Sequence, residues 1–192
     1  MTFYVGFILT QGSVAICGLS YNGWHKQAPK FDKIRSVDVF EVELETSPRD
    51  GLAYWNISIA TWLRHYVYYR ILNEERTNSF VATMITNLFS GFWHGFYPIY
   101  YVTFFFVAIM VEISKDMYRK RHVFWFMPSF ISTIILNILS VGALNYVAVG
   151  MLLLDLSRAW VYYRSFYFCG HILMIVLFIL FRFVIKKPKK KD

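Results

Sequence analysis

Four long stretches of the chain contain no Asp, Glu, Lys or Arg, namely residues 1–24, 77–111, 123–154 and 165–181. A helix needs about 20 consecutive apolar residues to cross a hydrocarbon core of roughly 30 Å. We therefore predict an all-α, polytopic integral membrane protein with about four to six membrane segments. The count is a range because the second and third stretches are long for one crossing and short for two.

The charged residues mark where these membrane segments end. We predict a first membrane segment at 1–19, membrane segments at 79–113 and 124–156, and a last span at 165–185. The remaining segments are a polar stretch at 20–78, a basic cytoplasmic loop at 114–123 and a cytosolic lysine tail at 186–192. Lys and Arg collect in cytoplasmic loops near membrane ends, and this rule puts both basic segments in the cytoplasm. It leaves Arg158 and Arg164 in a short lumenal turn.

Composition excludes several classes of protein. Hydrophobic residues make up 57% of the 192 residues, more than an ordinary soluble domain contains. The net charge of +8 comes in large part from the terminal lysines, whereas a nucleic-acid-binding domain carries its basic residues across a folded face. Cys17 and Cys169 match no disulfide framework or zinc spacing. We therefore expect no nucleic-acid partner and no metal site.

The polar stretch contains two recognisable patterns. Residues 37–44 alternate apolar and acidic residues, as a half-exposed extended segment does. Ser47 is a candidate helix cap with Pro48 after it, and this pair predicts a helix over about 48–72 that carries Asn56. Its apolar residues form one stripe at alternating steps of three and four: Leu52, Trp55, Ile59, Trp62, Tyr66 and Tyr69. Trp and Tyr beside arginine favour an amphipathic helix lying at the membrane interface.

One of the five histidines is placed for chemistry. His94 lies in the middle of a long uncharged run, and an ionisable group there faces a protein interior or a wet cavity by default. Burial disfavours the imidazolium, which leaves His94 neutral, as a general base must be. Gly91 and Gly95 beside it are equally consistent with close helix packing alone. We expect His25 and His122 to be solvated, His65 to face solvent or headgroups, and His171 to make a structural hydrogen bond.

Two short motifs resemble the membrane-bound O-acyltransferase family. The first is Trp55-Asn56-Ile57 followed by Trp62-Leu63-Arg64, and the second is Phe92-Trp93-His94-Gly95-Phe96-Tyr97-Pro98. That family pairs an asparagine in a polar segment with a histidine in a hydrophobic helix, and here the two are 38 residues apart. The run Gly18-Leu19-Ser20-Tyr21-Asn22-Gly23, with 29–32 and 37–38, resembles the lysophospholipid acyltransferase branch. Family members are generally more than twice this length, so the chain resembles their C-terminal part.

The resemblance implies acyl transfer from acyl-CoA to the free hydroxyl of a lysophospholipid, in phospholipid remodelling. It makes His94 the general base and Asn56 its catalytic partner, which orients the histidine, orients the acyl substrate or donates to the oxyanion. Trp55 and Trp93 are candidate substrate-binding residues, although single aromatic residues also serve packing. The expected partners are acyl-CoA as co-substrate, lysophospholipid and membrane lipids, with no cofactor.

Two other functions and a location follow from the sequence. A truncated, non-catalytic member of the same family is the main alternative, and a transporter with His94 as a proton relay is a further one. The last lysines resemble a dilysine retrieval signal, which indicates the endoplasmic reticulum with a cytosolic C-terminus. A polybasic anchor for an anionic leaflet has the same composition.

Overall fold

The computed structural model describes residues 2–121 and 128–185, and this part of the chain is mostly helical with very little strand. The helices are α1 (Thr2–Ile16), α2 (Val39–Leu44), α3 (Pro48–Tyr54), α4 (Ile57–Leu63), α5 (Tyr69–Ile71), α6 (Ser79–His94), α7 (Pro98–Arg119), α8 (Ser129–Leu153), α9 (Leu156–Ser165) and α10 (Cys169–Ile179). π-Helical turns at Arg64–Tyr68 and Leu180–Val184 extend α4 and α10. Strands β1 (Trp24–His25) and β2 (Ala28–Pro29) form a small antiparallel hairpin. The predicted all-α membrane fold is confirmed.

Two of these helices are long and apolar enough to cross a membrane. They are α7, with 22 residues, and α8, with 25 residues. Helix α9 meets α10 and its π-helical extension at an angle of 81°, and by length and composition the pair fits a third span broken at the bend or a re-entrant loop. The predicted four to six segments also counted α1 and α6, whose 15 and 16 residues extend about 22 and 24 Å at 1.5 Å per residue, less than a full crossing.

Helix α7 is the centre of the structure, packed against α6, α8 and α10. The largest apolar core forms along it: Val107, Ile109, Met110, Ile113, Val147 and Met174. Helices α6 and α7 are antiparallel neighbours joined by residues 95–97. The predicted membrane segment at 79–113 is thus a helical hairpin with a sharp turn, and this turn positions the candidate site.

Acidic residues inside α7 hold the end of the last span. Glu112 and Asp116 are 1% and 4% exposed. The Arg182 guanidinium lies 3.0 Å from an Asp116 carboxylate oxygen, and the Lys120 ammonium donates to the Phe181 carbonyl. The C-terminal ends of α7 and of the last span therefore lie side by side.

These ion pairs also correct the predicted basic loop at 114–123. Helix α7 continues to Arg119, because Lys115 and Arg119 are paired with acidic residues one turn earlier in the same helix. Residues 122 and 123 of that loop, and the lysine tail at 186–192, lie outside the described residues.

Three other expectations differ from the structure. Residues 39–44 are helical, because the Asp38 carboxylate accepts a hydrogen bond from the Glu41 amide and caps α2. The predicted helix at 48–72 begins as expected, with Ser47 capping α3, but it breaks after Tyr54 and resumes at Ile57. The predicted lumenal turn is replaced by helix α9, which carries Arg158 and Arg164 and has Asp155 as its cap.

Candidate active site

Asn56 lies at the break between α3 and α4. Its backbone has φ +50° and ψ +55°, the left-handed conformation that asparagine adopts more readily than most residues. The side chain makes no capping hydrogen bond to α4 and is partly exposed. The amide group of Asn56 is therefore free to contact another molecule.

A neighbouring segment fixes the backbone on both sides of Asn56. The Asp38 amide donates to the Tyr54 carbonyl (3.1 Å), and the Ile57 amide donates to the Ser36 carbonyl (2.8 Å). The Ser58 hydroxyl donates to the Arg35 carbonyl (3.0 Å). Residues 35–38 therefore hold the turn in place, and Asn56 does not depend on its own side chain for its position.

His94 is the last residue of α6, at the tip of the α6–α7 hairpin. Gly95 follows with φ +133° and ψ −175°, a conformation essentially restricted to glycine. Pro98 then begins α7. The sequence predicted a histidine buried in the middle of a span; in the described structure His94 ends its helix and its side chain is exposed.

Two rings from α7 support the imidazole of His94. Phe104 stacks on it with ring centroids 5.1 Å apart and planes at 26°, and Tyr100 lies edge-on at 5.9 Å. Gly91 allows this approach, because a Cβ at that position would come within 3.3 Å of the Phe104 ring. Gly91 therefore allows close packing of α6 on α7 while the imidazole of His94 stays exposed. The packing interpretation of Gly91 and the catalytic interpretation of His94 are compatible.

Aromatic contacts connect the helix that follows Asn56 to the helix that ends in His94. Trp62 of α4 lies 5.8 Å from Trp93 and 6.2 Å from Phe89, centroid to centroid. Trp93 is the residue before His94 and is 61% exposed. The two predicted catalytic residues thus belong to helices that are joined by direct ring contacts.

No hydrogen bond joins Asn56 to His94 within residues 2–121 and 128–185, and neither side chain has another hydrogen-bond partner there. In that same part of the chain, no buried side-chain nitrogen or oxygen is unpaired. The amide of Asn56 and the imidazole of His94 are thus accessible, and neither makes a structural hydrogen bond. No three His, Cys, Asp or Glu residues of the described chain are grouped to hold a metal ion.

The two predicted substrate-binding tryptophans lie in different surroundings. Trp55 packs edge-on against three rings of α1, those of Phe3, Tyr4 and Phe7, at 5.2–6.0 Å. Trp93 belongs to the exposed aromatic group beside His94. Trp55 therefore packs against α1, and substrate contact by Trp55 and by Trp93 stays a prediction.

The other histidines lie away from this site. His171 accepts or donates a 2.8 Å hydrogen bond between Nδ1 and the Tyr146 hydroxyl, which confirms its predicted structural bond. His65 is exposed with its ring edge-on to Tyr69, and His25 is exposed in the hairpin. His122 is outside the described residues.

Sequence reasoning missed the supporting residues of the site. Tyr100 and Phe104 are four residues apart and therefore share one face of α7, a signal that was available. Nothing in the spacing indicated that this face would lie under His94. The hydrogen bonds from 35–38 to the Asn56 turn join separate segments and leave no local pattern.

Comparison with known proteins extends the motif resemblance to nearly the whole chain. A sequence profile of the membrane-bound O-acyltransferase family matches residues 1–154. Lysophospholipid acyltransferase 2 of Arabidopsis thaliana is 33% identical over 97% of this chain. Lysophospholipid acyltransferase of Saccharomyces cerevisiae is 31% identical over 94% of it, and membrane-bound glycerophospholipid O-acyltransferase 2 of Homo sapiens is 30% identical over 98%.

The matched region is less than half of each relative. The chain spans 41% of the length of the Arabidopsis thaliana protein, 31% of the yeast protein and 35% of the human protein.

Proposed function

The chain belongs to the membrane-bound O-acyltransferase family, and we propose that it transfers an acyl group from acyl-CoA to the free hydroxyl of a lysophospholipid in phospholipid remodelling. One observation carries the proposal. Asn56 and His94 lie on helices joined by ring contacts, and the polar groups of both side chains are unpaired in the described structure. The names of the relatives, lysophospholipid acyltransferases among them, support the substrate class.

His94 acts as the general base. A hydroxyl is a weak nucleophile, so an imidazole nitrogen of His94 takes its proton as the oxygen attacks the thioester carbonyl. The tetrahedral intermediate collapses by breaking the carbon–sulfur bond. The leaving thiolate takes the proton back from His94, and the products are a diacyl phospholipid and coenzyme A. The rings of Phe104 and Tyr100 fix the orientation of the imidazole without using its nitrogens.

Asn56 acts on the acyl substrate. Of the roles that the sequence left open, direct orientation of His94 has no hydrogen bond in the described structure to support it. The accessible amide of Asn56 suits donation to the carbonyl oxygen, whose negative charge grows in the transition state. The fixed turn holds this donor in place before the substrate arrives.

The proposal includes a location in the endoplasmic reticulum membrane with a cytosolic C-terminus. The ends of α7 and of the last span lie side by side, which supports placing the basic segments after both on one face of the membrane. In this proposal the lysines at 189–191 act as the dilysine signal that retrieves the protein to the endoplasmic reticulum.

The proposal is tested by acyl transfer in microsomes that express this chain. Labelled acyl-CoA is supplied with a panel of lysophospholipids, and the unchanged chain is compared with His94→Ala and His25→Ala. We expect the unchanged chain to transfer the acyl group to one or more lysophospholipids, and His94→Ala to lose about 10²-fold or more of this activity. His25→Ala should be unchanged, because His25 is exposed in the β1–β2 hairpin.

Two results count against the proposal. Equal transfer by His94→Ala at equal membrane abundance contradicts the role of His94 as base. No transfer above empty microsomes, from a chain that is inserted in the membrane, contradicts activity of this polypeptide and favours the non-catalytic alternative.

A further inference from the structure

A cavity of about 380 Å³ lies between α7, α9 and the start of α10, apart from the candidate active site. Its lining residues are Ile99, Val102, Phe106, Leu156, Ala159, Trp160, Tyr163, Phe168 and His171. The volume falls in the range typical of sites that bind small molecules. The walls are apolar and aromatic, which suits a hydrocarbon occupant.

Helix α7 separates this cavity from His94. Tyr100 and Phe104, one turn apart, face the imidazole of His94. Ile99, Val102 and Phe106 line the cavity, and the helical step of 100° per residue places them on the opposite side of α7. The cavity is therefore a separate site and not an extension of the catalytic one.

Three lining side chains carry polar atoms, those of Trp160, Tyr163 and His171, and the Tyr163 hydroxyl already donates to the Tyr146 carbonyl (3.2 Å). The imidazole of His171 is held in place by a hydrogen bond at one of its two nitrogens. Its Nδ1 lies 2.8 Å from the Tyr146 hydroxyl, whose oxygen also interacts with the backbone amides of Gly170 and His171. Backbone amides only donate, so the hydroxyl oxygen accepts from them and its own hydrogen is left to be donated to Nδ1, in which case a neutral imidazole carries its hydrogen on Nε2. Within the described segments Nε2 has no hydrogen-bond partner. Every unpaired polar side-chain atom in those segments is accessible, since none of the buried ones is unpaired. Nε2 can therefore donate to another molecule.

The chemistry of the lining selects the class of ligand. The accessible Nε2–H donor suits a ligand with an acceptor atom, and no charged residue of the described chain lines the cavity to balance a carboxylate or phosphate. We propose that this cavity binds an acyl chain of a glycerophospholipid, with the ester carbonyl oxygen of that chain accepting a hydrogen bond from His171 Nε2.

The surrounding backbone supports a binding site at this position. The span breaks between α9 and α10 with a bend of 81°, and the consecutive residues Tyr167 and Phe168 have φ +51° and +52°. Irregular backbone within a membrane is tolerated where it lines a cavity or is buried in protein, and left-handed non-glycine residues concentrate at ligand sites. Phe168 belongs both to this break and to the cavity wall.

The test uses the full chain in nanodiscs made of a diether phosphatidylcholine, which has no ester carbonyl. A trace of diester phosphatidylcholine with a photoactivatable group in one acyl chain is the probe, and labelled peptides are mapped by mass spectrometry. We expect labelling to concentrate around Trp160 and Phe168. Unlabelled diester phosphatidylcholine should displace the probe about fivefold better than added diether lipid, as one hydrogen bond predicts.

Variants separate the cavity from the general lipid-facing surface. Val102→Trp fills the cavity from a side chain that is 39% exposed, and it should lower labelling about fivefold or more. Val161→Trp is the matched control, since Val161 is on α9, is 68% exposed and does not line the cavity. His171→Phe should keep labelling and abolish the preference for diester lipid.

The results that overturn the proposal do not depend on catalysis. Labelling spread evenly over the exposed apolar residues, or unchanged in Val102→Trp, shows only annular lipid around the protein. Equal competition by diester and diether lipids contradicts the proposed hydrogen bond between the ester carbonyl and His171. His94→Ala should label like the unchanged chain, so failure here is distinct from failure of the proposed acyl transfer.

Discussion

The indole rings of Trp62 and Trp93 lie 5.8 Å apart, one on the helix that begins after Asn56 and the other next to His94. The pair joins two segments that are distant in sequence. It also lies on an exposed aromatic surface, since Trp62 and Trp93 are 37% and 61% accessible. The spacing between the helices of Asn56 and His94 therefore depends in part on this contact.

Replacing Trp62 should reduce both the stability of the fold and the rate of transfer. Trp62→Ala removes ring contacts with Tyr66, Phe89 and Trp93, each worth about 1 kcal/mol. We expect kcat to fall roughly tenfold, because displaced catalytic groups lose their alignment, while Trp62→Phe recovers much of the loss. Initial rates at saturating acyl-CoA measure the effect.

The control for this change is Trp24→Ala. Trp24 is 71% exposed in the hairpin and makes no ring contact within the described residues. Transfer should be unchanged. An equal loss in Trp24→Ala, or none in Trp62→Ala, contradicts a positioning role for Trp62.

The amide of Asn56 can be removed without straining its backbone. Glycine tolerates φ +50°, so Asn56→Gly deletes the side chain and keeps the turn, which residues 35–38 hold. We expect the unfolding temperature to change little and transfer to fall about 10²-fold, as for other lost oxyanion donors. Thermal unfolding in detergent and transfer rates, measured on one preparation, test both parts.

Asn56→Ala serves as the comparison, because it deletes the amide and also strains the left-handed turn. It should lose transfer to the same degree and unfold at a lower temperature. If Asn56→Gly retains full transfer, Asn56 serves only the turn and has no part in the reaction.

Local sequence patterns predicted the helices of this fold better than their ends. Uncharged runs located α7 and α8, and the Ser47-Pro48 pair located the start of α3. The break at Asn56 was missed, because the hydrogen bonds that stabilise it come from Ser36 and Asp38. The basic residues at the end of α7 predict a loop, but in the structure Lys115 and Arg119 pair with acidic residues one turn earlier on the same helix.

The sequence predicted which residues form the candidate active site but not how they are arranged. The motifs identified Asn56 and His94, and the uncharged run suggested that His94 is buried. The helix ends at His94 because Gly95 and Pro98 force a turn, a consequence that the glycine and proline already indicated. The stacking of Phe104 on the imidazole depends on how α6 and α7 pack, which no local pattern contains.

The turn after His94 should depend on glycine. Alanine at position 95 cannot adopt φ +133° without strain of about 1–3 kcal/mol. We expect Gly95→Ala to lower the unfolding temperature and to reduce transfer, because the strain is relieved by moving His94. Gly142→Ala in α8, where a Cβ meets nothing within 4 Å, is the control: it should leave transfer unchanged and should not lower the unfolding temperature, because alanine favours a helix more than glycine does. Unchanged transfer in Gly95→Ala contradicts the dependence of His94 on this turn.

Neutralising a buried carboxylate in α7 should destabilise the last span. Glu112 is 1% exposed and lies 2.7 Å from the Lys115 ammonium and 3.5 Å from the Arg182 guanidinium. Glu112→Gln leaves both cations without that charge, at a cost of about 3 kcal/mol to the free energy of unfolding. Urea-induced unfolding in detergent measures it, with Glu75→Gln on the exposed loop as control. Equal stabilities of the two variants contradict a structural role for the network.

Glu45 gives the chain a stability that depends on pH. Desolvation, followed by repulsion from Asp50, raises the pKa of Glu45 above its ordinary value of 4.5. The folded state therefore holds this proton more strongly than the unfolded state, and the contribution of Glu45 to stability declines as pH rises from the ordinary value through the raised one.

Glu45→Gln removes the titration. Its unfolding temperature should exceed that of the unchanged chain at neutral pH and approach it at about pH 4. A difference between Glu45→Gln and the unchanged chain that stays constant with pH contradicts the raised pKa of Glu45.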